Sequence, residues 1–134
     1  MVFREDDGEI KYLLLQYNST YWGFVKGLVE KGERENDTIR REIYEETGIS
    51  DGEFIGNFRE KISYYYRREG KIIYKEVIYK LFKTESSDVK LSFEHIGYAW
   101  LPYEEAMERL KYANSKKVLR KAHEYLKKVR NGAL

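Results

Sequence analysis

The chain has no cysteine among its 134 residues. That excludes disulfides, thiolate metal centres and a cysteine nucleophile. Histidine occurs only twice, as His95 and His123, and no Ser/His nucleophile pair is evident. Proline occurs once, at Pro102, and no internal repeat, low-complexity tract or linker interrupts the chain. Long apolar runs are missing. The longest, Tyr12 to Leu15, has the length of a strand, far short of the ~18 residues of a membrane span. The opening stretch "MVFREDDGE" turns acidic at once and lacks a secretory pattern. An excess of one charge is missing too. The 25 basic and 23 acidic residues leave a net charge of +2, whereas a dedicated nucleic-acid coat would be clearly basic. These absences lead to the expectation of one cytosolic domain over residues 1–134, with a core of its own. Monomer and homodimer both stay open.

Aromatic residues are plentiful: 13 Tyr, 6 Phe and 2 Trp. Tyrosine suits half-buried strands and can also stack on a base. "IKYLLLQY" (10–17) reads as a mostly buried strand, with "MVFRE" as its predecessor. "EFIGNF" and "EKISYYYR" are strand candidates. After the turn "RREGK", "IIYKEVIYKLFKT" reads as one long returning strand. "IGYAWLP" is a further strand, followed by helices "YEEAMERLKY" and "SKKVLRKAHEYLKKV". Between the first strands and the hairpin, Asn36 or Asp37 can cap a helix that runs to about Thr47. Gly48 then stops it. Helices alternating with a mixed sheet place the fold in the α+β class.

The helix at 38–47 carries an unusual charge pattern. At 100° per residue, Ile39 and Ile43 share one face and would pack on the sheet. Glu42, Glu45 and Glu46 crowd together on another. Like charges three and four apart destabilise a helix by about 0.2–0.5 kcal/mol per pair. One reading is a solvated face in which Arg41 pairs with Glu45. The other is a divalent-cation site, because hard cations such as Mg²⁺ take carboxylate oxygens and substrate phosphates.

The spacing favours the second reading. Gly27, Glu33 and then "REIYEETGI" (41–49) resemble the 23-residue signature of the Nudix hydrolases at each of its nine defined positions. The resemblance implies a loop–helix–loop metal platform on an α/β/α sandwich with a mixed sheet. Glu42, Glu45 and Glu46 would hold Mg²⁺ or Mn²⁺, joined by the Lys26 backbone carbonyl. Glu46 or Glu42 would activate water. Arg41 would orient the carboxylates, and Gly27, Glu33 and Gly48 would support the loop.

The flanks "YWGFVKGLVEKGE", "YKEVIYKL" and "FEHIGYAWLPYEEAMERLKY" resemble the asymmetric diadenosine tetraphosphate hydrolases within that family. By that likeness Lys26 would contact polyphosphate. Tyr79 would stack on adenine, with Lys75 on the same strand face touching a phosphate. Tyr21 is a second stacking candidate, and Tyr98 would line the pocket. Glu94 would join the metal or act as base. His95 is divided between pocket and structural roles, Trp22 and Trp100 suit packing, and His123 suits the surface. One departure stands out: Val25 occupies a position where family members usually have proline, which bears on substrate rather than metal binding. The favoured partner is a nucleoside polyphosphate. The alternatives are 8-oxo-dGTP, ADP-ribose, the 5′-triphosphate end of RNA, or a non-catalytic nucleotide-binding module; Arg67 and Arg68 could bind RNA, but a solvated turn is the simpler reading of them.

Overall fold

A computed structural model describes residues 1–26 and 32–132. The sequence order is β1 (Val2–Asp6), β2 (Glu9–Gln16), β3 (Trp22–Gly23), α1 (Glu35–Thr47), β4 (Glu53–Phe54), β5 (Glu60–Arg68), β6 (Lys71–Tyr79), β7 (Phe82–Lys83), β8 (Gly97–Pro102), α2 (Tyr103–Arg109) and α3 (Ala113–Arg130). Strand β2 is the centre of the main sheet. It pairs antiparallel with β1, β3 and β8. Strand β1 in turn runs parallel to β7, so the sheet is mixed as expected.

Both faces of this sheet are covered, which is why β2 reads as an unbroken apolar run rather than an alternating one. Phe3, Tyr12 and Leu14 face one way, onto Ala106, Leu110, Val118, Leu119, Ala122 and Leu126 of the α2–α3 segment. Val2, Leu13, Leu15 and Phe82 face the other way, onto Ile39 and Ile43 of α1. Period-two alternation along the strands separates the two cores. The result is the expected α/β/α sandwich. Val25, the residue in the proline position, is buried in the α1 core.

Four local expectations need correction. Helix α1 begins at Glu35 behind Arg34, with no side-chain cap. Asn36 and Asp37 lie inside its first turn, where Asn36 instead accepts a hydrogen bond from Lys80 Nζ at 2.8 Å and Asp37 complements the helix dipole. "EFIGNF" holds only a two-residue strand, because Gly56 adopts φ +60° and abuts Tyr125. The long returning strand is broken after Tyr79. Its first part, β6, pairs with β5 as a separate two-stranded ribbon, whereas β7 joins the main sheet. His123 is half-buried rather than superficial. Its Nδ1 meets the Tyr12 hydroxyl at 2.8 Å, and its ring stacks on Tyr103 at 4.1 Å. The buried tyrosine needs a polar partner, and His123 supplies it.

Candidate active site

Helix α1 sets the acidic side chains at graded depths. Ile39 and Ile43 anchor it to the sheet, each contributing about 1.5–3 kcal/mol by burial. Gly48 closes the helix in the left-handed region, φ +75°, with its N–H donating to the Tyr44 carbonyl at 2.8 Å. Glu45 points outward and is 55% exposed, Glu42 is 18% exposed, and Glu46 is 11% exposed. One turn of helix thus carries carboxylates from solvent to the protein interior.

Arg41 organises the outer part. Its Nε and Nη2 grip both oxygens of Glu33 at 2.9 and 3.0 Å. Its Nη1 donates to Glu42 at 3.0 Å and to Glu45 at 3.1 Å. The fork suits this bidentate task, which a lysine could not perform. Thr38 Oγ1 adds a bond to Glu33 at 3.0 Å. Arg41 and Thr38 thus bring Glu33 against the outer face of the helix. Gly27 lies outside the described residues.

Glu46 has a different environment. Burial, with the charges of Glu42 and Glu94 close by, pushes its pKa up to about 8. The Lys26 backbone N–H and the Lys26 charge oppose this only in part. Its Oε2 is buried without a hydrogen-bond partner among the described residues. Its Oε1 lies 3.3 Å from His95 Nε2, but the two are out of line for a hydrogen bond, and Nε2 is otherwise unpartnered. Among the described residues no three Asp, Glu or His side chains already converge as a ligand set. Glu42 and Glu45 turn toward Arg41 instead. The donor set is nonetheless all-oxygen, anionic and partly desolvated, with one orphaned buried oxygen. A hard divalent cation answers each of these features.

Beside this platform lies a cavity of about 550 Å³, walled by Tyr21, Lys26, Ile62, Tyr64, Tyr79 and Tyr112. Lys26 Nζ sits over the rings of Tyr17, Tyr21 and Tyr64, at 5.3 to 5.7 Å from their centroids. Tyr21 is shaped by Asn18, whose side chain accepts the Tyr21 backbone N–H at 2.8 Å, and its ring lies 5.5 Å from Tyr112. Tyr79 lines the cavity but is only 2% exposed, with its ring against Phe24. It forms a floor rather than a free stacking face.

Two substrate candidates lie elsewhere. Lys75 shares the ribbon face of Tyr79, but its Nζ sits over Tyr66, 5.7 Å from the ring centroid, and it borders a shallower groove with Arg59 and Glu76. Tyr98 is exposed on β8 opposite Leu15 and does not line the cavity. Glu94 is exposed beside His95, close enough to Glu46 to act on its charge. Sequence reasoning missed Tyr112 and Tyr64. Tyr112 falls between α2 and α3 with no periodic signal. Tyr64 was visible only as one of three consecutive tyrosines; Tyr65 beside it also borders the cavity but is exposed on the other face of the strand.

The NUDIX domain model matches residues 1–122. The chain belongs to the Nudix family. It is 34% identical over 132 residues to the mouse asymmetrical bis(5′-nucleosyl)-tetraphosphatase, covering 94% of this chain and 87% of the mouse protein. The Caenorhabditis elegans protein of the same name is 33% identical over 129 residues, 94% of this chain and 92% of that one. A solved binary complex of the C. elegans Ap4A hydrolase superposes with a TM-score of 0.79, covering 93% and 92% of the two chains. This protein is thus a Nudix hydrolase similar to asymmetrical Ap4A hydrolases, with the sandwich fold that the signature implied. Among its described residues no helix is long and apolar enough to cross a membrane.

Proposed function

We propose that the protein is a cytosolic, Mg²⁺-dependent pyrophosphohydrolase of nucleoside polyphosphates, with diadenosine tetraphosphate cleaved to ATP and AMP as the favoured reaction. The observation that carries the reading is the buried Glu46, with its orphaned oxygen and raised pKa, beside a tyrosine-walled cavity that holds Lys26 at its edge. Glu46, Glu42 and Glu45 would hold Mg²⁺ or Mn²⁺, with Glu94 and the Lys26 carbonyl completing the set. Bound there, the cation would neutralise polyphosphate charge and acidify an attacking water.

The chain's own residues would then divide the work. Glu46 would accept the proton from water: burial raises its basicity, and a bound cation would keep it ionised near neutral pH. Arg41 keeps Glu42 and Glu45 from collapsing onto one another or swinging away. Lys26 leaves its tyrosine cage for a phosphate, since a charge-assisted bond outweighs a cation–π contact. That movement opens the rings of Tyr21 and Tyr64, with Tyr112 opposite, to a base. Aromatic stacking tolerates different bases, so the polyphosphate length would set the choice of substrate.

The test is product analysis with Mg²⁺ on diadenosine tetraphosphate, 8-oxo-dGTP, ADP-ribose and triphosphorylated RNA. Fastest conversion of diadenosine tetraphosphate, to ATP plus AMP, supports the proposal. Faster turnover of another substrate replaces the favoured substrate and leaves the chemistry. No turnover of any of the four overturns the enzymatic reading in favour of a nucleotide-binding module.

A further inference from the structure

His95 is 5% exposed, and the assignments above give it no part in holding cation or substrate. Its surroundings fix it from several directions. Ser92 Oγ lies 3.0 Å from Nδ1. The Tyr17 ring meets it edge-on at 4.6 Å, and Tyr17 is itself tied to the Phe24 carbonyl at 2.7 Å. The loop that bears His95 is laced to the end of α1. The Lys90 N–H donates to the Thr47 carbonyl at 2.9 Å, and the Ser92 N–H to the Glu46 carbonyl at 3.3 Å. On its far side, the Ile96 N–H donates to the Gln16 carbonyl at 2.8 Å. The loop therefore registers His95 against the backbone of the residue that it faces.

The proton on the imidazole can be assigned by elimination. A neutral imidazole has one N–H and one lone pair. If Ser92 donates its hydroxyl to Nδ1, the N–H is left on Nε2, 3.3 Å from Glu46 Oε1. With a cation bound, Glu46 would be ionised, and the opposite tautomer would then set a lone pair against a carboxylate oxygen. Catalytic hydrogen bonds are commonly long and misaligned before a complex forms and tighten within it, which suits two side chains that are close and buried, with His95 Nε2 lacking any other partner among the described residues.

We infer that His95 is a positioning residue, held by Ser92, whose Nε2–H fixes Glu46 Oε1 and leaves the unpaired Oε2 to a cation. The inference rests on the reading of Glu46 as a reactive carboxylate. Outer partners that orient a ligand carboxylate have a typical signature: their loss costs about 10–100-fold in metal affinity or activity.

The experiment compares Ser92→Ala, His95→Ala and His95→Gln. Thermal melts establish folding, Mn²⁺ titration of the nucleotide-free protein gives metal affinity, and kcat and KM are measured separately. Ser92→Ala and His95→Ala are expected to weaken Mn²⁺ binding by about 10–100-fold. Each should lower kcat by a similar factor and leave KM in place. His95→Gln, which keeps an N–H donor, should recover most of both. Unchanged Mn²⁺ affinity in the folded variants would overturn the inference, and so would a His95→Gln no better than His95→Ala. If His95→Ala does not fold, Ser92→Ala decides, since it removes the support without opening a ring-sized cavity. Weakened Mn²⁺ binding in a protein that hydrolyses no nucleotide would sink the functional reading and leave the positioning role standing.

Discussion

Helix α1 and the β5–β6 ribbon sit on either side of the candidate site and are built on opposite plans. Helix α1 is clamped, with Ile39 and Ile43 in the core and Arg41 bonded to three carboxylates. Among the described residues the ribbon pairs only with itself, and its outer face leaves Tyr65, Ile72 and Tyr74 exposed. Its inner face gives Ile62, Tyr64 and Tyr79 to the cavity wall. Phosphoryl chemistry needs groups held to a fraction of an ångström, and a helix packed on a two-faced sheet provides that. Base stacking tolerates looser geometry, and a half-free ribbon would suffice for the stacking proposed above. Glu35 ties the two plans together. It is the first residue of α1 and pairs with Arg59 at 2.6 Å and Lys80 at 3.3 Å, residues that flank the ribbon at its base.

Substitutions should therefore separate by region, and the largest effect belongs to the helix. Glu46→Gln keeps the shape but removes the proposed base, and kcat should fall by about 10²–10⁴-fold with little change in KM, measured under steady-state turnover. Arg41→Ala removes a shared partner from Glu33, Glu42 and Glu45. Activity should fall by about 10–100-fold, with a lowered melting temperature. On the opposite wall, Tyr112→Ala should raise KM about tenfold through lost stacking and leave kcat largely intact. A larger loss in kcat than in KM there would merge the two regions into one functional unit.

The smallest effect is the tie itself. Arg59 and Lys80 hold the Glu35 pKa down to about 2. A carboxylate with a depressed folded pKa contributes stability above its unfolded value, near 4.5, and loses it as pH falls toward 2. Melting temperatures of the wild type and Glu35→Gln should differ at pH 6 and converge by about pH 2. A gap that persists at acid pH would mean that Glu35 acts through packing rather than charge.

The comparison also explains what could be read from the chain. The α1 platform was legible because its spacing is chemical as well as structural. Ile39 and Ile43 mark the buried face, and the glutamates follow the helical repeat. The sandwich was legible because β2 is apolar without alternation. The ribbon was only half legible. Nothing in "IIYKEVIYKLFKT" marks the break after Tyr79, since Lys80 and Leu81 suit a strand as well as a crossing between sheets. The depth of Glu46 was not legible at all, because it depends on the loop around His95 folding back onto α1. His123 was misread because its partner, Tyr12, lies 111 residues away. Tyr112 escaped for the same reason, as it meets Tyr21 only in three dimensions.

The most direct test of the division between platform and wall is a paired kinetic measurement. Steady-state kcat and KM for diadenosine tetraphosphate, with saturating Mg²⁺, would be determined for Glu46→Gln and Tyr112→Ala in parallel. The predicted result is a loss confined to kcat in the first and to KM in the second. Equal losses in kcat for both, or full activity in Glu46→Gln, would contradict the account.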